Sequence, residues 1–262
     1  MKSGGGVIAL RLSSPDLKQL SILAPEYIIK QCVDPRDLCS LIERGRPTLV
    51  VADIRSAPDP SLEVELIAAG SRRIPIVVRL SIAPGEVQLL IALVRGGVAV
   101  EAALEGLDNL ATVAIRVVSG LPDTAVMHRL LLGSCGASGR RAACLLTASV
   151  LLGMRRPSMR ELARLCGWSR RTMERVASAA SLPSPGRLVA LSCCVQLAWL
   201  ATQARLTPRA LAAAGGFTST QALSHYLRRQ AGETPRKLGH KHRLEALLDS
   251  WRDAVRCAQT QP

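Results

Sequence analysis

The chain has 262 residues with 48% hydrophobic side chains, which excludes an intrinsically disordered protein and allows two domains that each bury a core. Its net charge of +14 lies entirely in residues 123–262, which carry 21 basic and 7 acidic side chains, so we expect that half to bind a polyanion. The sequence has no continuous apolar span of 18 residues and no signal peptide in residues 1–6, so we expect a cytoplasmic protein without a membrane partner.

The N-terminal half alternates short β-like runs with longer helical stretches. Strands are predicted at residues 7–12, 27–29, 48–52 and 74–78. Helices are predicted at residues 17–23, 34–44, 61–70 and 85–95, and Asp34-Pro35 opens the second of them as an N-cap and a first-turn proline. The pattern of residues 99–115 does not decide between strand and helix. The alternation predicts an α/β domain with a doubly wound parallel sheet.

Three features of this half lie where a response-regulator receiver domain has functional groups. Asp53 closes the third predicted strand, Ser81 closes the fourth, and Gly96-Gly97 forms a small-residue turn after the fourth helix. Over residues 5–118 the order of elements resembles that receiver domain. The resemblance implies that Asp53 stands at the position of the phospho-acceptor.

Two groups that such a domain needs for phosphorylation are absent from this sequence. Ser13-Ser14 replaces the acidic pair that holds Mg²⁺ after the first strand, with only Asp16 nearby, and the lysine expected soon after Gly97 is missing. Asp53 therefore has two interpretations, a phospho-acceptor or a strand-end residue that caps a turn through its side chain. We favour the second, which leaves the domain as a protein-interaction or dimerisation module.

The sequence predicts a change of fold at Ser119-Gly120-Leu121-Pro122. Beyond this point the pattern is helical and no strand pattern returns. We expect a receiver-like α/β domain over residues 1–121, a linker or helix over residues 122–139, and an all-α domain over residues 140–262.

Two segments of the C-terminal half share one outline: a short helix with small apolar residues, a Gly-aromatic-Ser/Thr turn, and a second helix with polar and basic residues. The first covers residues 159–177 around Gly167-Trp168, and the second covers residues 207–229 around Gly216-Phe217. Glycine allows the sharp turn, the aromatic ring fills the space beneath it, and Ser169 and Ser219 are expected to cap the second helices. Helical spacing predicts five core residues: Met173, Val176, Ala177, Leu223 and Leu227.

A specific residue pattern continues through the second segment, with Gly216-Phe217 followed by Leu223, Leu227, Gly232, Thr234-Pro235 and Leu238. Over about residues 140–243 the chain resembles the tandem helix-turn-helix domain of the AraC/XylS family of transcription regulators. In that family a long helix joins the two units, and residues 186–203 are the candidate here. The first unit departs from the pattern at Ala177, where a bulky core residue is usual, and at residues 181–185, which replace a Gly-x-x-Pro turn.

The resemblance implies that the first exposed turns of each second helix read base edges. The base-contact candidates are Arg171, Thr172, Glu174 and Arg175 in the first unit and Thr220, Gln221, Ser224 and His225 in the second. Their chemistry is suitable, because arginine pairs with guanine, glutamine with adenine, and glutamate with the cytosine amino group. The candidates for phosphate contact are Arg170, Arg187, Arg228, Arg229, Arg236, Lys237 and Lys241. The alternative is an ordinary solvated face, with Glu174 paired to Arg170 or Arg171.

The cysteines and histidines do not point to a metal site or to an enzyme. The eight cysteines form no Cys-x-x-Cys pair and lie mostly in apolar runs, which is typical of buried reduced thiols: Cys32, Cys39, Cys135, Cys144, Cys166, Cys193, Cys194 and Cys257. His240 and His242 complete no cluster with them. Gly4-Gly5-Gly6 is not a phosphate-binding loop, and no set of nucleophile, base and orienting group can be named. We therefore expect no metal, no cofactor and no enzymatic activity.

Together these patterns predict a sequence-specific DNA-binding transcriptional regulator that reads successive major-groove faces with two recognition helices. The alternative is a response regulator that is gated by phosphorylation of Asp53. Double-stranded DNA is the expected partner, and a homodimer through the N-terminal domain and RNA polymerase are further candidates. A small-molecule sensor role of the N-terminal half stays open, although the usual sensor of AraC-like proteins is a β-barrel, which the alternating units do not resemble.

Overall fold

The computed structural model describes residues 5–23, 26–55, 59–118, 124–133, 139–203 and 205–256. The chain forms two compact units, Met1–Arg129 and Leu130–Pro262. The predicted boundary at Ser119-Gly120-Leu121-Pro122 lies outside the described residues, and the finer limits 1–121, 122–139 and 140–262 stay predictions. An α/β unit followed by a helical unit confirms the predicted fold class.

The first unit is built on a five-stranded parallel sheet. Its strands are β1 (Gly5–Leu10), β2 (Tyr27–Cys32), β3 (Pro47–Asp53), β4 (Ile76–Leu80) and β5 (Val100–Leu104). The order β2-β1-β3-β4-β5 is doubly wound and receiver-like, with functional groups expected at the carboxyl ends of the strands. Apart from Thr48, β3 and β4 are buried throughout, because helices cover both faces of a parallel sheet.

Helices connect the strands as the sequence predicts. They are α1 (Ser14–Leu20), α2 (Leu38–Gly45), α3 (Pro60–Ser71), α4 (Pro84–Arg95) and α5 (Leu110–Val118). Asp34 acts as an N-cap, but the helix that it opens is a 3₁₀ turn, Pro35–Asp37, which precedes α2. The segment that the pattern left undecided, residues 99–115, contains β5 and the start of α5.

Two strand limits, the end of β1 and the start of β4, are set by single residues. β1 ends at Leu10 rather than Leu12, because Arg11 adopts the left-handed conformation with φ +55°. β4 begins after Ile74-Pro75, because proline has no N–H to donate to the ladder.

Among its described residues the second unit contains helices and no strand, as predicted. α6 (Thr124–Gly133) crosses the boundary between the units. The helices after it are α7 (Arg140–Leu151), α8 (Met159–Leu165), α9 (Arg170–Ala179), α10 (Pro185–Gln203), α11 (Pro208–Ala214), α12 (Thr220–Ala231), α13 (Pro235–Leu238) and α14 (Lys241–Arg256). A 3₁₀ turn, Gly153–Arg155, follows α7.

The long helix α10 is the core of the helical unit. It contacts α7, α9, α11, α12, α13 and α14, and every residue from 188 to 198 is buried. By length and composition Pro185–Gln203 would be able to cross a membrane, which corrects the expectation that the sequence holds no such span. Because 72% of its apolar window is buried inside the structure, packing within this unit accounts for its hydrophobicity.

Two polar side chains of α10, Ser192 and Gln196, are buried in this core and hydrogen-bond there. The Gln196 side-chain amide donates to the Val150 carbonyl at 2.6 Å and to Ser192 Oγ at 2.9 Å. Gly153 packs directly against the pair, so a Cβ at this position would lie 2.7 Å from both Gln196 Nε2 and Ser192 Oγ. These contacts fix the C-terminal end of α7 on α10.

We expect Gly153→Ala to destabilise the helical unit by about 1–3 kcal/mol, because the added methyl group has no room beside the buried amide. Gly186→Ala in α10 is the matched control, because its Cβ would meet only Met159, at 3.8 Å, and alanine favours a helix over glycine by about 0.5–1 kcal/mol. Urea unfolding of the full chain, followed by circular dichroism, measures both changes. Equal destabilisation by the two substitutions would contradict the packing argument.

Candidate nucleic-acid interface

The first helix-turn-helix unit consists of α8, a tight turn and α9. Ser158 begins α8 with a capping box. Gly167 adopts φ +66° in the turn, and the Trp168 N–H donates to the Ala163 carbonyl at 2.8 Å. Ser169 then caps α9 by accepting a backbone hydrogen bond of 3.1 Å, as predicted.

The second unit, α11 to α12, repeats these interactions one by one. Thr207 caps α11, Gly216 adopts φ +64°, and the Phe217 N–H donates to the Ala212 carbonyl at 2.8 Å. Ser219 caps α12 with a backbone hydrogen bond of 3.1 Å. The two turns therefore share the left-handed glycine and the hydrogen bond of the aromatic N–H.

The second turn is one residue longer than the first. Thr218 lies between the aromatic residue and the serine cap, whereas the first unit has no residue there. Counted from the caps, Arg171 is equivalent to Gln221 and Arg175 to His225. The extra residue lies before the cap, so positions counted from Ser169 in α9 and from Ser219 in α12 still correspond.

Both second helices bury the residues that the sequence predicts: Met173, Val176, Ala177, Leu223 and Leu227. The exits from the helices differ. Gly232, with φ +67°, follows α12, whereas Ser181 adopts φ +50° after α9. A serine is less favourable than a glycine in this conformation, so the departure of the first unit from the family pattern carries local backbone strain.

Six of the eight base-contact candidates are exposed: Arg171, Glu174, Arg175, Thr220, Gln221 and His225. The other two, Thr172 and Ser224, are half-buried and their hydroxyls have partners within their own helices. Thr172 Oγ1 lies 2.9 Å from Ser169 Oγ, and Ser224 Oγ donates to the Thr220 carbonyl at 2.9 Å. A base contact by either hydroxyl must compete with these interactions.

Glu174 forms an ion pair with Arg170, with 2.8 Å between Oε1 and Nε. This is the pairing that the sequence offers as the alternative to base contact. Because the two side chains are 53% and 72% exposed, the pair contributes little to stability and can open when another partner approaches. The pair is therefore compatible with a base contact by Glu174 and a phosphate contact by Arg170.

Most of the candidate phosphate-contacting residues lie on the surface at and after the end of α12. Exposed cations in this region are Arg228, Arg229, Arg236, Lys237 and Lys241. Arg187 differs, because one of its terminal nitrogens donates to the Gln230 carbonyl at 2.7 Å and so ties the start of α10 to the end of α12. Its guanidinium is partly committed to the fold.

Sequence reasoning missed Arg156, which follows the 3₁₀ turn after α7. Its guanidinium carbon lies 3.7 Å from the centre of the Phe217 ring, and one terminal nitrogen donates to the Gly216 carbonyl at 2.6 Å. No motif marks this arginine. Its place directly ahead of the capped helix α8 is the one signal that the sequence offers.

The described cysteines are free thiols, buried except for the half-buried Cys39. Burial raises the pKa of Cys166 to about 12, of Cys193 to about 11 and of Cys194 to about 12, so these thiols are protonated near neutral pH. Cys135 and Cys257 lie outside the described residues. No group of three His, Cys, Asp or Glu side chains in the described ranges is placed to hold a metal ion.

In the first unit, Asp53 ends β3 and lies in a network with two arginines. Arg55 Nη2 is 2.6 Å from Asp53 Oδ2 and 2.7 Å from Asp16 Oδ2, and Arg79 Nε is 3.4 Å from Asp16 Oδ1. Arg55 also pairs with Glu105, directly after β5. The hydrogen bond to Asp53 is the largest cause that raises the pKa of Arg55, which stays charged.

The Asp53 side chain also accepts the Arg55 backbone N–H at 2.9 Å, which is the turn contact that the favoured interpretation of Asp53 requires. Ser81 follows β4 and donates to Glu86 Oε1 at 2.9 Å. Sequence reasoning missed Arg55, although an arginine two residues after a strand-end aspartate is a signal for such a pair.

No protein-family model and no curated protein matches this chain. Among solved structures the chain is similar to full-length FixJ from B. japonicum, with 13% sequence identity and a TM-score of 0.33 over 88% of this chain and 98% of that one. A TM-score this low carries no argument about fold or function. The fold and the candidate interface described above are therefore supported by the contacts within this chain alone.

We expect Arg55→Ala to destabilise the first unit by about 3–5 kcal/mol, because it removes the cation between two buried carboxylates. The matched control is Arg36→Ala, which removes an exposed ion pair with Asp34 and should lower stability by at most about 1 kcal/mol. Chemical unfolding of both variants measures the difference. A loss for Arg55→Ala no larger than that of the control would show that the network does not stabilise the sheet edge.

Proposed function

We propose that this chain is a transcription regulator that binds DNA through its helical unit. The observation that carries the proposal is the repeated helix-turn-helix geometry, with a left-handed glycine, an aromatic N–H bonded back to the first helix, and a serine cap in each unit. Each second helix buries its apolar side and exposes polar side chains. In helix-turn-helix proteins, a helix with this disposition lies in the major groove with its first turns against the bases.

The specific mode that we propose is tandem reading in the manner of the AraC/XylS family. α9 and α12 would enter successive major-groove faces on one side of the duplex, about 34 Å apart along its axis. The support is that both units pack on the same helix, α10, so one chain carries two recognition helices on one core.

The exposed residues suggest a division of roles between the two units. α9 presents Arg171, Glu174 and Arg175, which suit guanine edges and a cytosine amino group. The corresponding face of α12 presents Gln221 and His225, and its cations follow near the end of the helix. We infer that the first unit reads bases mainly with arginine and glutamate side chains, whereas the second reads bases with an amide and an imidazole and obtains its affinity from phosphates.

For the first unit of the chain we propose a signalling role without phosphorylation. The support is the network around Asp53, because Arg55 contacts both carboxylate oxygens and supplies the positive charge that a bound metal would otherwise bring. The partner that this unit would engage is a protein surface, and a second copy of the chain is the simplest candidate.

We expect Arg175→Ala and Gln221→Ala each to weaken binding to a duplex selected by the wild-type chain by about 5- to 150-fold, because a bidentate base contact contributes about 1–3 kcal/mol. Each variant should also accept other bases at one position of the site. Selection from a random duplex library, followed by titration of the selected duplex, measures both effects.

The control for these variants is Arg256→Ala, which removes one exposed positive charge at the end of α14, far along the sequence from either recognition helix. We expect it to keep the wild-type base preference. If both test variants keep the wild-type affinity and preference, α9 and α12 are not the recognition helices.

We expect no phosphate on Asp53 after incubation of the full chain with acetyl phosphate and Mg²⁺, because Arg55 occupies both carboxylate oxygens. Intact-mass measurement is the readout, and Asp53→Asn is the matched control. A mass increase of one phosphoryl group in the wild type but not in Asp53→Asn would favour the alternative, a regulator gated by phosphorylation.

A further inference from the structure

Arg156 connects the region of the first helix-turn-helix unit to the turn of the second. It follows α7, which packs against α8 and α9, and its guanidinium reaches the turn between α11 and α12. In the sequence, 60 residues separate Arg156 from the carbonyl of Gly216 that it contacts. Arg156 thus links the segment that leads into α8 to the turn of the second unit, in addition to the packing of both units on α10.

The backbone segment that carries Arg156 is held in place by buried contacts with α10. The Val150 carbonyl near the end of α7 is held by Gln196 of α10 at 2.6 Å, and Gly153 packs against the same glutamine. Arg156 itself adopts φ +48° and its N–H donates to the Leu152 carbonyl at 3.1 Å. The side chain therefore starts from a backbone position that α10 fixes.

The guanidinium of Arg156 makes two specific contacts with the turn between α11 and α12. The guanidinium stacks over the Phe217 ring at 3.7 Å and donates to the Gly216 carbonyl at 2.6 Å, so it contacts both residues that define the turn. Phe217 in turn packs on Tyr226 of α12, with 5.3 Å between ring centres. Arg156 is half-buried as a whole, and its Nε is buried without a hydrogen-bond partner, a local cost that the stacked geometry has to offset.

We propose that Arg156 is a positioning residue that fixes the distance and rotation of α12 relative to α9 and thereby sets the spacing between the two half-sites on DNA. The inference rests on the proposed function. We expect it to be more than a general requirement for folding, because the second unit also packs on α10 through α11, α12 and α13 and these contacts do not involve the arginine.

The first experiment selects duplexes from a library of random sequence with the wild-type chain, Arg156→Ala, Arg156→Lys and the control Arg256→Ala. We expect the wild type and the control to select two half-sites at one spacing, and to bind that duplex about tenfold or more tightly than one with an inserted base pair, since one pair rotates a half-site by about 35°. Arg156→Ala should select the same half-sites over several spacings and lose this tenfold preference. Arg156→Lys should resemble Arg156→Ala, because an ammonium lacks the planar fork that stacks and donates together.

The second measurement needs no DNA. In Arg156→Ala, amide hydrogen exchange should become faster in the turn around Phe217 and the first turn of α12, and should stay unchanged in α8 and α9. Equal acceleration in both units would mean a general structural role and would overturn the positioning role.

The outcomes separate this inference from the function on which it rests. A wild-type chain that selects no bipartite duplex would remove the proposed tandem reading, and the spacing role with it. A wild-type chain that selects one, together with an Arg156→Ala variant that keeps the same single spacing, would overturn the spacing role alone.

Discussion

The helical unit depends on the burial of α10 on all sides. A helix of 19 residues whose central stretch is buried throughout must be covered by other helices, and α7, α12 and α14 provide most of that cover. The two helix-turn-helix units therefore cannot form separate cores, because each completes the packing of the same helix. The buried side chains of Ser192 and Gln196 also restrict how α7 packs on α10, because Gln196 donates to the Val150 carbonyl of α7. These contacts set where the end of α7 lies on α10.

The turns of the two helix-turn-helix units share a backbone conformation but lead into helices with different exposed side chains. Gly167 and Gly216 take the same left-handed conformation, and the aromatic N–H that follows each closes the same hydrogen bond. What differs is the side chains that this backbone presents, with Arg171 in one unit where the other has Gln221. Backbone geometry thus constrains the turn residues, whereas the exposed face of the second helix is free to vary with the site it contacts.

Local sequence patterns predict the helices and strands of this chain, whereas contacts between residues far apart in the sequence could not be predicted from them. Caps such as Ser169 and Ser219, and core positions such as Leu223 and Leu227, follow from interactions within a few residues, so the sequence predicts them well. The ends of β1 and β4 were less predictable, because they depend on one left-handed residue and one proline. The pair of Arg55 with Asp53 is local and carried a signal, but Arg156 contacts Gly216 and Arg55 contacts Asp16 and Glu105 over 60, 39 and 50 residues of the chain. Nothing in a local pattern connects such pairs.

The ion pairs of Arg55 with Asp16 and Asp53 lie at the carboxyl edge of the sheet, and they affect which signals a receiver-like unit can use. A metal ion at such an edge binds and leaves, so the charge of the site can change with ligand. Arg55 is part of the chain, and its raised pKa keeps it charged at every physiological pH. Arg55 therefore places a permanent positive charge between the carboxylates of Asp16 and Asp53, and Arg79 adds a second beside Asp16. The signalling role proposed above for this unit would then need a partner that binds one arrangement of the unit better than another.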